Sequence, residues 1–137
     1  MLRAGLPPRA LNIIVGPGDS IGRLIVSHPI PRLITFTGSL SVGQWITQNA
    51  GFKKVTLELG SNSACIIDDI SRLDYIIPRC ITGVFANSGQ VCISIQRIYV
   101  NKKIKEKFLN EFLNAVENIK IGDPLEEDVE YSALISK

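Results

Sequence analysis

Histidine is almost missing from this 137-residue chain: only His28 is present, with no metal-ligating side chain spaced around it. A histidine-built metal centre is therefore excluded, no metal site is expected, and His28 reads as a turn residue rather than a catalyst. Cysteines number three, an odd count, and no two are spaced as CxxC, which excludes a zinc ribbon or a paired redox motif. Charge of either sign is nearly balanced at a formal +2, too little to argue for nucleic acid or an anionic membrane surface. No apolar run approaches the length of a membrane span, and Met1-Leu-Arg-Ala-Gly-Leu-Pro7 lacks a signal-peptide hydrophobic core. A soluble, cytoplasmic protein is the expectation. Two glycine motifs are missing as well. Glycines stand at 16, 18 and 22, but Ile21 breaks G-x-G-x-x-G, and Gln44-Trp45 follow Gly43 where a Walker A loop needs Lys and Ser/Thr. Internal repeats and low-complexity tracts are absent too.

What is present is a globular composition, 45% hydrophobic and 20% charged, long enough for one ordinary domain with a core. After a tail over residues 1–10, Leu11-Asn-Ile-Ile-Val15 is a β-branched apolar run that predicts a buried strand, ended by Gly16-Pro-Gly18. Asp19 or Ser20 is placed to cap a helix carrying Ile21, Leu24 and Ile25, closed by Pro29 and Pro31. Leu33–Thr37 predicts a second strand, followed by a helix with Val42, Trp45, Ile46 and Ala50 on one face. A third strand, Lys53–Leu59, alternates Val55, Leu57 and Leu59 against Thr56 and Glu58. Apolar runs separated by amphipathic segments imply right-handed βαβ crossovers, so residues 11–15, 33–37 and 54–59 are expected in one parallel sheet. Beyond them come a strand at 64–67 and a helix starting near Asp74, with Asp74 as cap and Pro78 in or just after its first turn. A strand at 98–100 follows, then a helix over 103–120 with the stripe Ile104, Phe108, Phe112, Ala115, Val116 and Ile119. Lysines 102, 103, 105 and 107 are offset by Glu106, Glu111 and Glu117 and read as a solvated face.

Three places carry chemistry. Cys92 follows the turn-forming break Asn87-Ser-Gly89; if a helix starts there, its dipole and free N–H groups favour the thiolate. The alternative is a small buried hydrophobe, the ordinary fate of free cysteine and the reading that suits Cys65 and Cys80. Glu58 is either a reactive carboxylate near a strand end or a surface glutamate on an edge. Gly38-Ser39, between strand and helix, either binds a phosphate on helix N–H groups or merely permits a tight turn.

Taken together, Phe85-Ala-Asn-Ser-Gly-Gln-Val-Cys-Ile-Ser-Ile-Gln-Arg97 resembles the active-site cysteine signature of the aldehyde dehydrogenase superfamily. Thr56-Leu-Glu-Leu-Gly60 resembles its glutamate signature, and Phe36-Thr-Gly-Ser-x-x-Val-Gly43 its cofactor-binding turn. All three stand in the family's order. One departure is Ser61, where the family pattern has a second glycine.

The resemblance implies an α/β fold: residues 1–59 as the C-terminal part of a Rossmann-like NAD(P)-binding domain, and 60–137 as the start of an α/β catalytic domain. It implies oxidation of an aldehyde to a carboxylic acid with NAD or NADP. Cys92 is then the nucleophile and Glu58 the base for the deacylating water. Gly38, Ser39, Val42 and Gly43 hold the cofactor pyrophosphate, Leu59 lies near the nicotinamide and Gly22 beside the adenine; Asn87, Gly89, Gln90 and Arg97 match positions that shape the loop. Only a central piece of the family fold is matched. The ribose-contacting strands, a side-chain amide oxyanion donor, a later cofactor-binding glutamate and the oligomerisation arms fall outside it. The expected partners are a small aldehyde and, as in full-length members, a homo-oligomer, or here a complementing chain; nucleic acid and membrane are not. The isolated chain is expected to be inactive as a dehydrogenase. Two alternatives stand beside this: a non-catalytic fragment or interaction module, and a cysteine-dependent esterase or acyl-transfer remnant without nicotinamide.

Overall fold

The structure, a computed structural model, describes residues 4–136. The chain divides into two compact units, Met1–Leu57 and Glu58–Lys137, each with its own apolar core.

In the first unit a π-helical turn, Gly18–Gly22, leads into the short helix α1, Arg23–Ser27. Strand β1, Leu33–Gly38, is followed by helix α2, Leu40–Asn49, and strand β2, Lys54–Leu59, which hydrogen-bonds to β1 and whose last two residues fall past the unit boundary. Val26, Ile34, Ile46 and Ala50 form the core, with Phe36, Trp45, Val55 and Leu57 packed around it. The alternation read in β2 is present: Val55, Leu57 and Leu59 are half-buried, while Thr56 and Glu58 are exposed. His28 closes α1 and accepts a hydrogen bond on Nδ1 from the Ile30 N–H, a turn role.

Two expectations fail here. Residues 11–15 are not a strand; they are irregular and exposed, Val15 by 89% and Ile13 by 81%. A β-branched run becomes a strand only against a ladder partner, and among the described residues its backbone has none, so the sheet contains β1 and β2 alone. Nor does Asp19 or Ser20 cap α1: Ser20 Oγ donates back to the Pro17 carbonyl. The π-helical turn shifts the phase of α1, so Val26 is buried while Leu24 and Ile25 face out.

In the second unit strand β3, Ser63–Ile67, pairs in parallel with β4, Ile95–Val100. Parallel neighbours need a crossover, and helix α3, Leu73–Phe85, supplies it. Helix α4, Lys105–Glu117, follows β4 and buries Phe108 against Ile67, Ile77 and Cys80, with Phe112 stacked on it at 5.7 Å. The predicted stripe is the observed one. Asp74, however, is no cap; it lies inside the first turn, paired with Arg72 at 3.2 Å. Starting at Leu73 puts Pro78 inside the helix. The lost hydrogen bond, worth about 3 kcal/mol with its steric cost, is offset by burying Ile77 and Cys80 on the inner face. Among the described residues no helix is long and apolar enough to cross a membrane.

Phe108 is 3% exposed at the centre of the second core. Truncation to alanine is expected to cost that unit about 3–5 kcal/mol, measured by urea denaturation followed through tyrosine emission.

Candidate active site and apolar cavity

Parallel register decides where Cys92 lies. Since Ser63 is opposite Ile95, the residues just ahead of both strands become neighbours. Ser61 Oγ donates to the Cys92 carbonyl and accepts from Ser63 Oγ at 2.8 Å, and the Arg97 guanidinium donates to the Asn62 carbonyl at 2.9 Å. The segment that leaves Glu58 is thus tied to the segment that carries Cys92. Ser61, the departure from the family's glycine pattern, supplies one of the ties.

Two residues after Cys92, Ser94 is only 3% exposed, and its Oγ donates to the Val84 carbonyl in the last turn of α3 at 3.0 Å. Its N–H closes a turn on the Val91 carbonyl, also at 3.0 Å. Ahead of the thiol, Asn87, Ser88 and Gly89 all sit in the left-handed region, at φ 53°, 56° and 72°. For the two non-glycine residues this costs about 1–2 kcal/mol each. Bonds made by the same loop offset it. Asn87 Nδ2 donates to the Gln90 carbonyl at 3.1 Å, and the Ser88 and Gln90 side chains bond to the backbone of Ser132, Ala133 and Ile135. At Gly89 a Cβ would also approach the Val84 carbonyl to 3.3 Å.

No helix begins at Cys92. The left-handed residues turn the chain and Ser94 draws it into β4, so Cys92 occupies a turn and the dipole argument does not apply to it. It is exposed, whereas Cys65 is half-buried and Cys80 buried. Desolvation, reinforced by the neighbouring Cys65 thiol, pushes the Cys80 thiol up to about 11. Glu58 is exposed on the outer face of β2 and has no ion-pair partner among the described residues; Leu59 points the opposite way and is half-buried.

The first unit holds a separate feature, a cavity of about 680 Å³ walled by Gly22, Val26, Phe36, Val42, Trp45 and Ile46, with Asp19 and Arg23 as its charged lining residues. The Arg23 guanidinium lies over the Trp45 ring, 4.8 Å from its centroid. A Cβ added at Gly18 or Gly22 would meet nothing within 4 Å, so these glycines leave open room beside the cavity. Of the residues singled out from sequence, Gly22 and Val42 line this space. Gly38 ends β1, where a Cβ would come within 2.5 Å of the Phe36 ring. Ser39 caps α2, its Oγ accepting from the Val42 N–H at 3.4 Å and its carbonyl from the Gly43 N–H at 3.0 Å. Gly43 is buried on the inner face of α2. Sequence reasoning missed Arg23, Phe36 and Trp45 as cavity walls, although Trp45 shares the helical face already assigned to Val42 and Ile46. It also missed Ser88 and Ser94, whose roles depend on long-range backbone acceptors that no spacing encodes. Among the described residues no group of three His, Cys, Asp or Glu is placed to hold a metal ion.

Limited alkylation of the folded protein near pH 7, read by mass spectrometry, is expected to label Cys92 before Cys65 and to leave Cys80 unmodified. The raised Cys80 pKa has a stability sign. Unfolded thiols ionise first, so protection by the folded state is complete below about pH 9 and is lost as pH rises through about 11. The urea midpoint should fall over that window, and the fall should be shallower in Cys80→Val.

The model of the aldehyde dehydrogenase family matches residues 1–137. A lactaldehyde dehydrogenase from Methanococcus aeolicus is 41% identical over 131 residues, covering 96% of this chain and 28% of that protein. Human 2-aminomuconic semialdehyde dehydrogenase is 42% identical, over 98% of this chain and 28% of its own length. Among solved structures, a double mutant of Staphylococcus aureus betaine aldehyde dehydrogenase in complex with NAD+ superposes with a TM-score of 0.92 at 31% identity, over 98% of this chain and 27% of that one. Glyceraldehyde-3-phosphate dehydrogenase from Methanocaldococcus jannaschii, complexed with NADP, gives 0.89 at 36% identity, over 95% and 28%. The chain thus spans little more than a quarter of the length of the relatives it matches, and over that span it belongs to the aldehyde dehydrogenase family.

Proposed function

We propose that this chain carries the catalytic pair and part of the cofactor cleft of an aldehyde-oxidising enzyme. The observation that carries the reading is the exposed Cys92 on a turn held by Ser61 and Ser94. In this reading residues 1–59 belong to the NAD(P)-binding domain and 60–137 to the catalytic one. Cys92 Sγ, as thiolate, attacks the aldehyde carbonyl carbon, and the Cys92 N–H donates to the oxyanion that develops. The product of that attack is a thiohemiacetal, which becomes a thioester only by giving up a hydride to an acceptor; Glu58 then takes a proton from the water that hydrolyses the thioester, releasing the carboxylic acid and the Cys92 thiolate. Three free thiols suit a reducing, cytoplasmic setting.

NAD or NADP, when bound, supplies the hydride acceptor. The residues present fit its adenylate end: an apolar cavity with an aromatic wall, two glycines leaving open room, and the α2 N-terminus. Ser39 occupies the Val42 and Gly43 N–H groups of that terminus, which leaves those of Leu40 and Ser41 for a phosphate oxygen. Gly38, where an added Cβ would strike Phe36, keeps the β1–α2 turn tight, and Gly43 is buried on α2. Leu59 offers an apolar contact at the strand end.

A second reading, an association module, is favoured by the unpaired apolar run at 11–15. The two are compatible if another polypeptide, a second copy or a complementing chain, completes the cleft.

Trp45 is the only tryptophan, so its emission reports the cavity directly. Titration with 5′-AMP should quench it saturably, and Gly22→Leu, which puts a side chain into the open room, should abolish the response. No saturable change with the natural sequence would sink the cofactor assignment. NAD(P)H formation from aldehydes should be undetectable with the isolated chain, because near-attack positioning of the cofactor, about 7–11 kcal/mol in the best cases, needs more than this cavity. Cys92-dependent reduction at ordinary enzyme rates, lost in Cys92→Ala, would overturn that.

A further inference from the structure

The loop ahead of Cys92 is held from a distance. Ser88 Oγ donates to the Ser132 carbonyl at 3.2 Å and accepts from the Ser132 N–H at 3.0 Å. Gln90 Nε2 donates to the Ala133 carbonyl at 3.4 Å, while its Oε1 accepts from the Ile135 N–H at 2.8 Å. Phe85 meets Tyr131 edge-on, with ring centroids 6.2 Å apart. Two side chains that bracket the left-handed Gly89 thus grip four backbone groups of one segment, residues 132–135. That segment is anchored in turn where the Gly122 N–H and the Tyr131 carbonyl pair at 3.1 Å.

We propose that Ser88 and Gln90 act with residues 132–135 as a clasp that positions Cys92 for attack on a carbonyl, which makes Gln90 a positioning residue. The inference rests on Cys92 being the nucleophile. Its logic is local: Gln90 is two residues from the thiol, and three consecutive left-handed residues cannot hold their shape without external partners. The clasp should matter where geometry matters. Attack on a carbonyl needs sulfur, carbonyl carbon and the Cys92 N–H oxyanion donor in one arrangement. Alkylation by iodoacetamide needs only an accessible thiolate.

The test compares two reactions of Cys92 in the full chain. With p-nitrophenyl acetate, the thiolate forms the S–C bond as the C–O bond to p-nitrophenolate breaks, leaving S-acetyl-Cys92 and the coloured anion. In Gln90→Leu the acylation rate should fall about five- to tenfold while the iodoacetamide rate stays within about twofold; Gln90→Glu, which keeps the acceptor for Ile135, should lie between. Phe108→Leu, which loosens the core away from the loop, controls for lost stability and should leave the ratio of the two rates unchanged. Acylation and alkylation changing in parallel in Gln90→Leu, or neither changing, would overturn the clasp while leaving the nucleophile in place. Acylation of Cys92 no faster than of Cys65 in the natural sequence would overturn the nucleophile reading and the clasp with it.

Discussion

The parallel pairing of β3 with β4 is the constraint on which the second unit depends. Two strands running the same way cannot be joined by a hairpin, so the chain must leave Ile67, cross as α3 and return to Ile95. The return has to reverse direction within the few residues between Phe85 and Ser94, which is what the left-handed stretch accomplishes. Cys92 sits on that return. Its exposure, its carbonyl bonded to Ser61 and the buried Ser94 two residues on all derive from where a crossover must end.

Much of this is legible in the residues, for identifiable reasons. The β2 alternation and the α4 stripe are readable because each element buries one face against a single core, and burial then follows the local period. The cysteine, glutamate and glycine-turn signatures are readable because their spacing is local. What fails is context. Leu11–Val15 has the composition of a strand, yet strand formation depends on a partner that composition does not contain. A helix at Cys92 is a fair local extrapolation, but the turn there is dictated by Val84 and by residues 132–135, far away along the chain. Pro78 is a case of the same kind: its local penalty is outweighed by the tertiary burial of Ile77 and Cys80, which no neighbour in sequence announces.

Fixed charge contributes little to holding either unit together. Among the described residues the ion pairs are Arg72–Asp74 and the contacts of Lys120 with Glu126 and Asp128, all well exposed to water and each worth no more than about 1 kcal/mol. Buried polarity is sparse too. Ser94 is the one buried polar residue among those described, and it is satisfied. Stability therefore rests on two small apolar clusters and on the backbone ladders beside them.

The two clusters share no residue, and the chromophores divide along the same line. Trp45 packs on the first cluster, while the three tyrosines, Tyr75, Tyr99 and Tyr131, all belong to the second unit. Melting curves recorded at tryptophan and at tyrosine wavelengths are therefore readings of different objects. A single unfolding free energy has thermodynamic meaning for this chain only if those curves coincide and the calorimetric and van't Hoff enthalpies agree.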